Sequence, residues 1–312
     1  MTDRFFLGVD GGGTKTRFAL LREQELVADA TFGTSYHPEV GIEGVREVLA
    51  QGVLAVLTRA GIDASQISFA FIGLPAHGED SHVTPLLDAI PREIFGHERY
   101  RVDNDMVCGW AGSLGAEDGI NIVAGTGSIG YGQRRGAAAR AGGWGEHFSD
   151  EGSAYWIAMQ GLNAYSRMSD GRLPKGALHA LISDSLNLAN DLDLCAHVYG
   201  ANARTRGELA QFSRLVARAA DSGDSVATDI FRRAASELAL IVEALRRRLG
   251  FAPGEIVKLS YSGGAFAAGD LLLEPFIAAL DTAYPNYSVH RPLHDPHHGA
   301  ALYAARLAGA RY

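Results

Sequence analysis

Leu7 to Thr16 reads LGVDGGGTKT: a carboxylate, three glycines, then two hydroxyls flanking an ammonium. A glycine turn lets backbone N–H groups converge on one point with no Cβ in the way, and such a concavity binds anions, phosphate above all. Thr14, Lys15 and Thr16 add donors. Asp10, however, would repel a phosphate chain. A divalent cation between the two resolves the conflict, and Mg²⁺ is the oxygen-preferring choice. The segment therefore reads as a phosphate cradle (Gly11, Gly12, Gly13, Thr14, Lys15) with Asp10 as its metal anchor. The competing reading is a tight hairpin whose glycines sit at positive φ. Two further features favour a nucleotide. A second glycine turn, GTGSIG, begins at Gly125, and Gly263-Gly264 joins a strand to a helix in YSGGAF. Two glycine hairpins can grip a triphosphate from both sides, while Gly263-Gly264 lets an adenosine lie against backbone. No G-x-x-x-x-G-K-[ST] is present, and the first turn leads into a strand rather than a helix, so neither a P-loop nor a dinucleotide turn fits. Asp105, in VDND before a helical stretch, stands where α/β folds place functional groups. It also stands where aspartate caps helices.

These residues need strands to hold them. Residues 5–10 and 17–22 are rich in strand formers, and the glycine turn joins them as a hairpin. Residues 43–61 then place Val45, Val48, Leu49, Gly52, Val53, Val56 and Leu57 on one helical face, with Gly61 to end the helix. ISFAFIGLP (67–75) reads as a buried strand and YRVDND (100–105) as a shorter one, followed by a helix from Met106. Strands alternating with helices give an α/β layered fold. Strand, glycine turn, strand recurs at 119–132, its turn starting 114 residues after the first. This weak internal repeat predicts two similar domains, 1–114 and 115–296, the second with a helical insertion over 154–250. The clearest helix there is 227–249. A small-residue helix starting near Gly299 closes the chain and is expected to return to the first domain.

Composition narrows the class. The 312 residues are 47% hydrophobic and 21% charged, with a net charge of −8, which fits a two-domain globular chain rather than a disordered one. The acidic balance argues against nucleic-acid binding. Arg246-Arg247-Arg248, in the last turn of a helix, reads as a solvated end suited to the helix dipole. Cys108 and Cys195 stand far apart and fit a reducing cytoplasm. No apolar run of 18 residues predicts a membrane span, and the N-terminus lacks the features of a secretory signal. His290, His294, His297 and His298 have no established ligand spacing and read as a loop before the last helix.

GVDGGGTKT, NDM, GTGSIG, GGWGEHFSDEGSAYWIAMQGL and SGGA occur in an order that resembles the N-acetylglucosamine kinases and related bacterial glucosamine kinases. These form the BadF/BadG-type branch of the sugar kinase–actin–heat-shock chaperone superfamily, and the resemblance spans nearly the whole chain. It implies two ribonuclease-H-like domains of the actin-like ATPase superfold with a cleft between them. ATP and Mg²⁺ would bind there, and the γ-phosphate would pass to the 6-hydroxyl of an amino sugar. The resemblance makes Asp105 the catalytic base, with Asp103 a weaker candidate. It assigns Ser128, Gly143, Trp144, Gly145 and Asp150 to the sugar. It assigns Gly11, Gly12, Gly13, Thr14, Lys15, Thr126, Gly127, Ala210, Gly263 and Gly264 to ATP, and Asp10 to the metal.

For Asp150 the competing role is the N-cap of a helix from Ser153, and for Trp144 it is a place in the core. Tyr36 stands where animal members carry a sugar-contacting asparagine, and Glu146 and His147 also differ from them. These departures bear on the N-acetyl contact rather than on phosphoryl transfer, so glucosamine stands as an alternative to N-acetylglucosamine. Iron–sulfur activators of acyl-CoA dehydratases use a similar ATP fold and need cysteine thiolates, for which Cys108 and Cys195 lack the context. A regulator that binds nucleotide or sugar without turnover is the alternative of another class. A homodimer is left open.

Overall fold

The computed structural model describes residues 3–199 and 203–310, which form two compact units. The first runs to Asp118 and includes the chain from Arg291 onward; the second is Gly119–His290. The boundaries differ from 115 and 297 for local reasons. Gly115 and Ala116 finish the helix before them, donating N–H to Ala111, so the chain leaves the first unit only after this cap.

Each unit is built on a five-stranded sheet with the same topology. In the first, β1 (Phe5–Gly11), β2 (Thr16–Arg22) and β3 (Glu25–Phe32) form an antiparallel meander, and β4 (Ile67–Leu74) and β5 (Tyr100–Asn104) add in parallel on the other side of β1. The spatial order is β3-β2-β1-β4-β5. In the second, β6 (Gly119–Ala124), β7 (Ser128–Arg134) and β8 (Ala137–Gly142) repeat the meander, and β9 (Val257–Ser262) and β10 (Tyr287–His290) the parallel pair. The weak sequence repeat thus marks two copies of one supersecondary plan.

Helices of the first unit are α1 (His37–Ala60), α2 (Thr84–Phe95) and α3 (Met106–Leu114). In α1, Val45, Leu49, Val53, Val56 and Leu57 are buried and Gly61 closes the helix at φ 67°. The second unit carries α4 (Ala154–Ser169), α5 (Ala177–Leu186), α6 (Leu194–Tyr199), α7 (Arg206–Ala210), α8 (Ser213–Asp221), α9 (Ser225–Arg248) and α10 (Asp270–Ala283). The apolar stripe of α9 buries Ile230, Ala234, Leu238, Ile241 and Leu245. Gly130 and Gly132 in β7 are its seat: a Cβ at Gly130 would lie 2.7 Å from Ile241 and Leu245, and one at Gly132 would lie 2.8 Å from Leu249. At the end of α9 Arg247 and Arg248 are exposed, as a solvated helix end requires, and Arg246 is half-buried. Arg246 pairs with buried Glu243 at 3.0 Å and lies 4.2 Å over the Tyr284 ring.

The closing helix α11 (Pro296–Leu307) packs in the first unit against β1, β4 and α3. It starts earlier than Gly299, so His297 and His298 lie in its first turn, while His290 ends β10. Only His294 of the four stands between elements, its ring stacked 4.8 Å from that of His298. Gly8 on β1 receives α11: a Cβ there would fall 2.8 Å from the Ala300 carbonyl carbon and closer still to neighbouring backbone. Backbone cannot step aside as a rotamer can, so Gly8→Ala is expected to cost about 1–3 kcal/mol or more. Thermal melting checks this, and an unchanged midpoint would remove Gly8 from that role.

Candidate functional site

The first unit brings two carboxylates to the C-terminal ends of β1 and β5. Asp10 pairs with Arg17 on β2 and with Gly73 on β4. Asp105 follows β5, and its N–H donates to the Leu74 carbonyl at 3.2 Å. Gly73 lies between: a Cβ there would sit 3.1 Å from Asp105 Cα. Asp105 occupies the N-cap position of α3, but its side chain makes no capping hydrogen bond. Asn104 takes that task, its Oδ1 accepting from Met106 N at 3.1 Å. Asp103 is drawn away by Arg101 at 2.7 Å.

Burial, then the charges of Asp105 and Asp295, push the Asp10 carboxyl up to about 7, against the pull of Arg17 and Lys15. Cys108 lies buried beneath, donating Sγ–H to Val9 O at 3.3 Å. Burial, then the charges of Asp10 and Asp105, hold it well above the usual thiol range, so it stays a thiol.

Gly11, Gly12 and Gly13 all lie outside the positive-φ region, so the reading in which the turn needs left-handed glycines is overturned. The requirement is room. A Cβ at Gly11 would lie 2.8 Å from Gly73 O, and one at Gly12 would lie 3.0 Å from Lys15 O, while Gly13 faces open space. Thr34 Oγ1 braces the loop through Gly12 O at 2.8 Å. Gly13, Thr14 and Lys15 are exposed, whereas Thr16 is buried.

In the second unit Thr126, Ala210 and Gly264 line one cavity of about 530 Å³, with Gly125, Arg214 and Phe231 among its other walls. Gly263 at φ 103° is forced: a Cβ there would lie 2.7 Å from Gly125 N. The Gly125 carbonyl accepts from Ala154 N at 2.8 Å and so ties the turn to the start of α4. Gly127 lies outside that cavity, against a charge cluster: a Cβ there would be 2.7 Å from Arg206 Nη2 and 2.9 Å from Asp150 Oδ2.

Asp150 is 3% exposed and left-handed at φ 61°. It does not cap α4, because Ser153 does, accepting from Trp156 N at 3.1 Å. Ser128 N approaches Asp150 Oδ1 at 3.4 Å, and Asp150 Oδ2 is ion-paired with Arg206. Arg206 also reaches Glu146 at 3.5 Å. Burial raises the Asp150 carboxyl above the usual range, and Arg206 opposes that rise. The Ser128 hydroxyl is buried and donates to the Glu151 carbonyl at 2.7 Å, so it holds the turn on which Asp150 sits. Gly143 and Gly145 are left-handed at φ 70° and 99°. Between them Trp144 is 71% exposed, which excludes a core role, and Arg140 stands 5.8 Å from its ring centroid. His147 is exposed, Glu146 half-buried, and Tyr36 exposed at the N-cap of α1.

Arg206 is the site residue that sequence reasoning missed. It lies 56 residues from Asp150, and the Thr205–Glu208 capping box around it signals only a helix start.

The doubled sheet and these two groups of side chains define a two-domain ribonuclease-H-like chain of the actin-like ATPase superfold. Its sequence matches the model of the BadF/BadG/BcrA/BcrD ATPase family over residues 7–304, and the protein belongs to that family. It is 30% identical to the N-acetylmuramic acid/N-acetylglucosamine kinase of Clostridium acetobutylicum, covering 96% of this chain and 98% of that one. It is 29% identical to the N-acetyl-D-glucosamine kinase of Dictyostelium discoideum, over 97% and 98% of the two chains. The solved structure of a candidate N-acetylglucosamine kinase from Chromobacterium violaceum is similar with a TM-score of 0.69 at 26% identity, covering 96% of this chain and 99% of that one. Among the described residues no helix is long and apolar enough to cross a membrane.

Proposed function

We propose that this protein is an ATP-dependent amino-sugar kinase that transfers the γ-phosphate to the 6-hydroxyl of N-acetylglucosamine. The observation that carries the reading is Asp105: a carboxylate at a strand end, relieved of helix capping by Asn104. In the reaction the sugar O6 attacks the γ-phosphorus, the bond from that phosphorus to the β–γ bridging oxygen breaks, and ADP leaves. Asp105 takes the hydroxyl proton as this happens. Gly11, Gly12, Gly13, Thr14 and Lys15 offer donors to the phosphates. Thr126, Ala210 and Gly264 enclose the adenosine, with Gly263 and Gly127 giving the turn its close approach. Asp150 accepts from sugar hydroxyls, Trp144 covers an apolar sugar face between Gly143 and Gly145, and Ser128 fixes the turn of Asp150.

Asp10 fits a Mg²⁺ site. Its carboxyl is held near neutral pH by burial and by a second carboxylate, a deficit that a cation removes. When bound, Mg²⁺ would neutralise charge on the phosphates. Two free cysteines, Cys108 and Cys195, suit a reducing cytoplasm.

The second substrate reading is glucosamine. Glu146, half-buried and 3.5 Å from Arg206, and the exposed Tyr36 leave a cationic 2-amino group acceptable. An ADP-release assay with N-acetylglucosamine, glucosamine, N-acetylmannosamine and glucose separates these readings by kcat/KM. Nucleotide binding without ADP release on any sugar would overturn the kinase reading in favour of a regulator.

Trp144→Ala is expected to weaken sugar binding by about 0.5–1.5 kcal/mol, roughly 2- to 12-fold. Calorimetry with the preferred sugar measures this, and an unchanged Kd would take the indole out of the sugar site.

A further inference from the structure

The short helix α7 begins at Arg206 and ends at Ala210, one helical turn later. Its two ends face different chemistry. Ala210 is 3% exposed and lines the cavity that holds Thr126 and Gly264. Arg206 binds Asp150, reaches Glu146 at 3.5 Å, and lies against Gly127, where a Cβ would be 2.7 Å from its Nη2. The pair is tightly constrained. Asp150 is buried and held in a left-handed conformation that non-glycine residues seldom adopt. Its other oxygen faces Ser128 N at 3.4 Å. The guanidinium is therefore the side chain that fixes the orientation of this carboxylate, and it rides on the same helical turn that walls the cavity.

We propose that Arg206 is a positioning residue that couples the two ligands: a nucleotide seated against Ala210 fixes α7, and through Arg206 fixes Asp150 in the orientation that accepts the sugar. The inference rests on the reading of Asp150 as a sugar carboxylate and of the cavity as the nucleotide site. An element whose arrangement both ligands bias couples their affinities. Here α7 is that element, because nucleotide contact and sugar contact fall on its two ends. By reciprocity the sugar tightens the nucleotide by the same factor.

Calorimetry on the full chain tests this, with the preferred sugar titrated alone and in the presence of a non-hydrolysable ATP analogue and Mg²⁺. Wild type is expected to bind sugar about 5-fold or more tightly with the analogue. Arg206→Ala should bring that ratio to about 1, with nucleotide affinity in the absence of sugar little changed. Arg206→Lys keeps the charge opposite Asp150 but loses the two-nitrogen fork, and should restore part of the coupling. If Arg206→Ala does not fold, Arg206→Gln, a shorter side chain with an amide donor and no charge, takes its place. Asp150→Ala serves as the control. Unchanged sugar binding in Asp150→Ala would sink the assignment of Asp150. Lost sugar binding in that variant, alongside wild-type coupling in Arg206→Ala, would sink the role of Arg206 alone. An uncoupled wild type would also overturn it.

Discussion

Replacing Asp105 by asparagine is expected to lower kcat by about 10²–10⁴-fold, the contribution of a positioned base. Sugar affinity should move much less, because an amide can still hydrogen-bond the hydroxyl that the carboxylate would deprotonate. Loss confined to kcat is the mark of an interaction made only in the transition state. The structure makes the experiment clean. Helix α3 draws its capping bond from Asn104 rather than Asp105, and the Asp105 backbone link to Leu74 is untouched by the change. The variant should therefore fold, and with one charge fewer beside Asp10 its melting midpoint should not fall below that of wild type. Steady-state kinetics beside calorimetric sugar binding decide the matter, and a folded variant with near wild-type kcat would leave the proposed mechanism without its base.

Asp10→Asn should raise the Mg²⁺ concentration needed for half-maximal activity by at least about tenfold. A unit charge beside a divalent ion is worth several kcal/mol even in a polarisable site, and about 1.4 kcal/mol is already tenfold. The same substitution should act with the opposite sense on the metal-free protein. The folded chain holds the Asp10 proton up to about 7, against 3.8 in an unstructured chain. The folded state binds that proton more tightly, so Asp10 makes wild-type stability fall as pH rises from about 4 to about 7. The variant lacks that penalty. In chelator its melting midpoint should exceed wild type at pH 8, and the gap should close towards pH 4. Equal Mg²⁺ dependence in the two proteins would show that Asp10 is not the anchor, and a gap independent of pH would refute the raised carboxyl.

Gly8 and Gly130 show the limit of local reading. Each lies in a strand whose existence follows from its strand formers, yet neither position announces that a helix descends on it. Gly8 admits the backbone of α11 from nearly 300 residues away, and Gly130 admits Ile241 and Leu245. The competing reading of the three glycines after Asp10 placed them in left-handed turns, and all three lie elsewhere in φ; at Gly11 and Gly12 it is the close approach of backbone that leaves no room for a side chain. Asp150 suggested a helix cap, and Ser153 took that place, since an N-cap is decided by the φ/ψ of one residue, which composition does not encode.

The sequence by itself determined what depends on near neighbours. That includes the glycine-tipped hairpins and their recurrence, the apolar face and glycine stop of α1, the strand ends carrying Asp10 and Asp105, and the order of motifs that marks the family. These follow from periods of two and 3.6 residues and from the unique backbone freedom of glycine. The tertiary structure alone decided what depends on residues brought together across the chain. The Arg206–Asp150 pair spans 56 positions. The raised carboxyl of Asp10 arises from burial and from Asp105 and Asp295, and the exposure of Trp144 from a loop that leaves its ring uncovered. Burial and charge proximity are properties of a packed volume, and no spacing along the chain carries them.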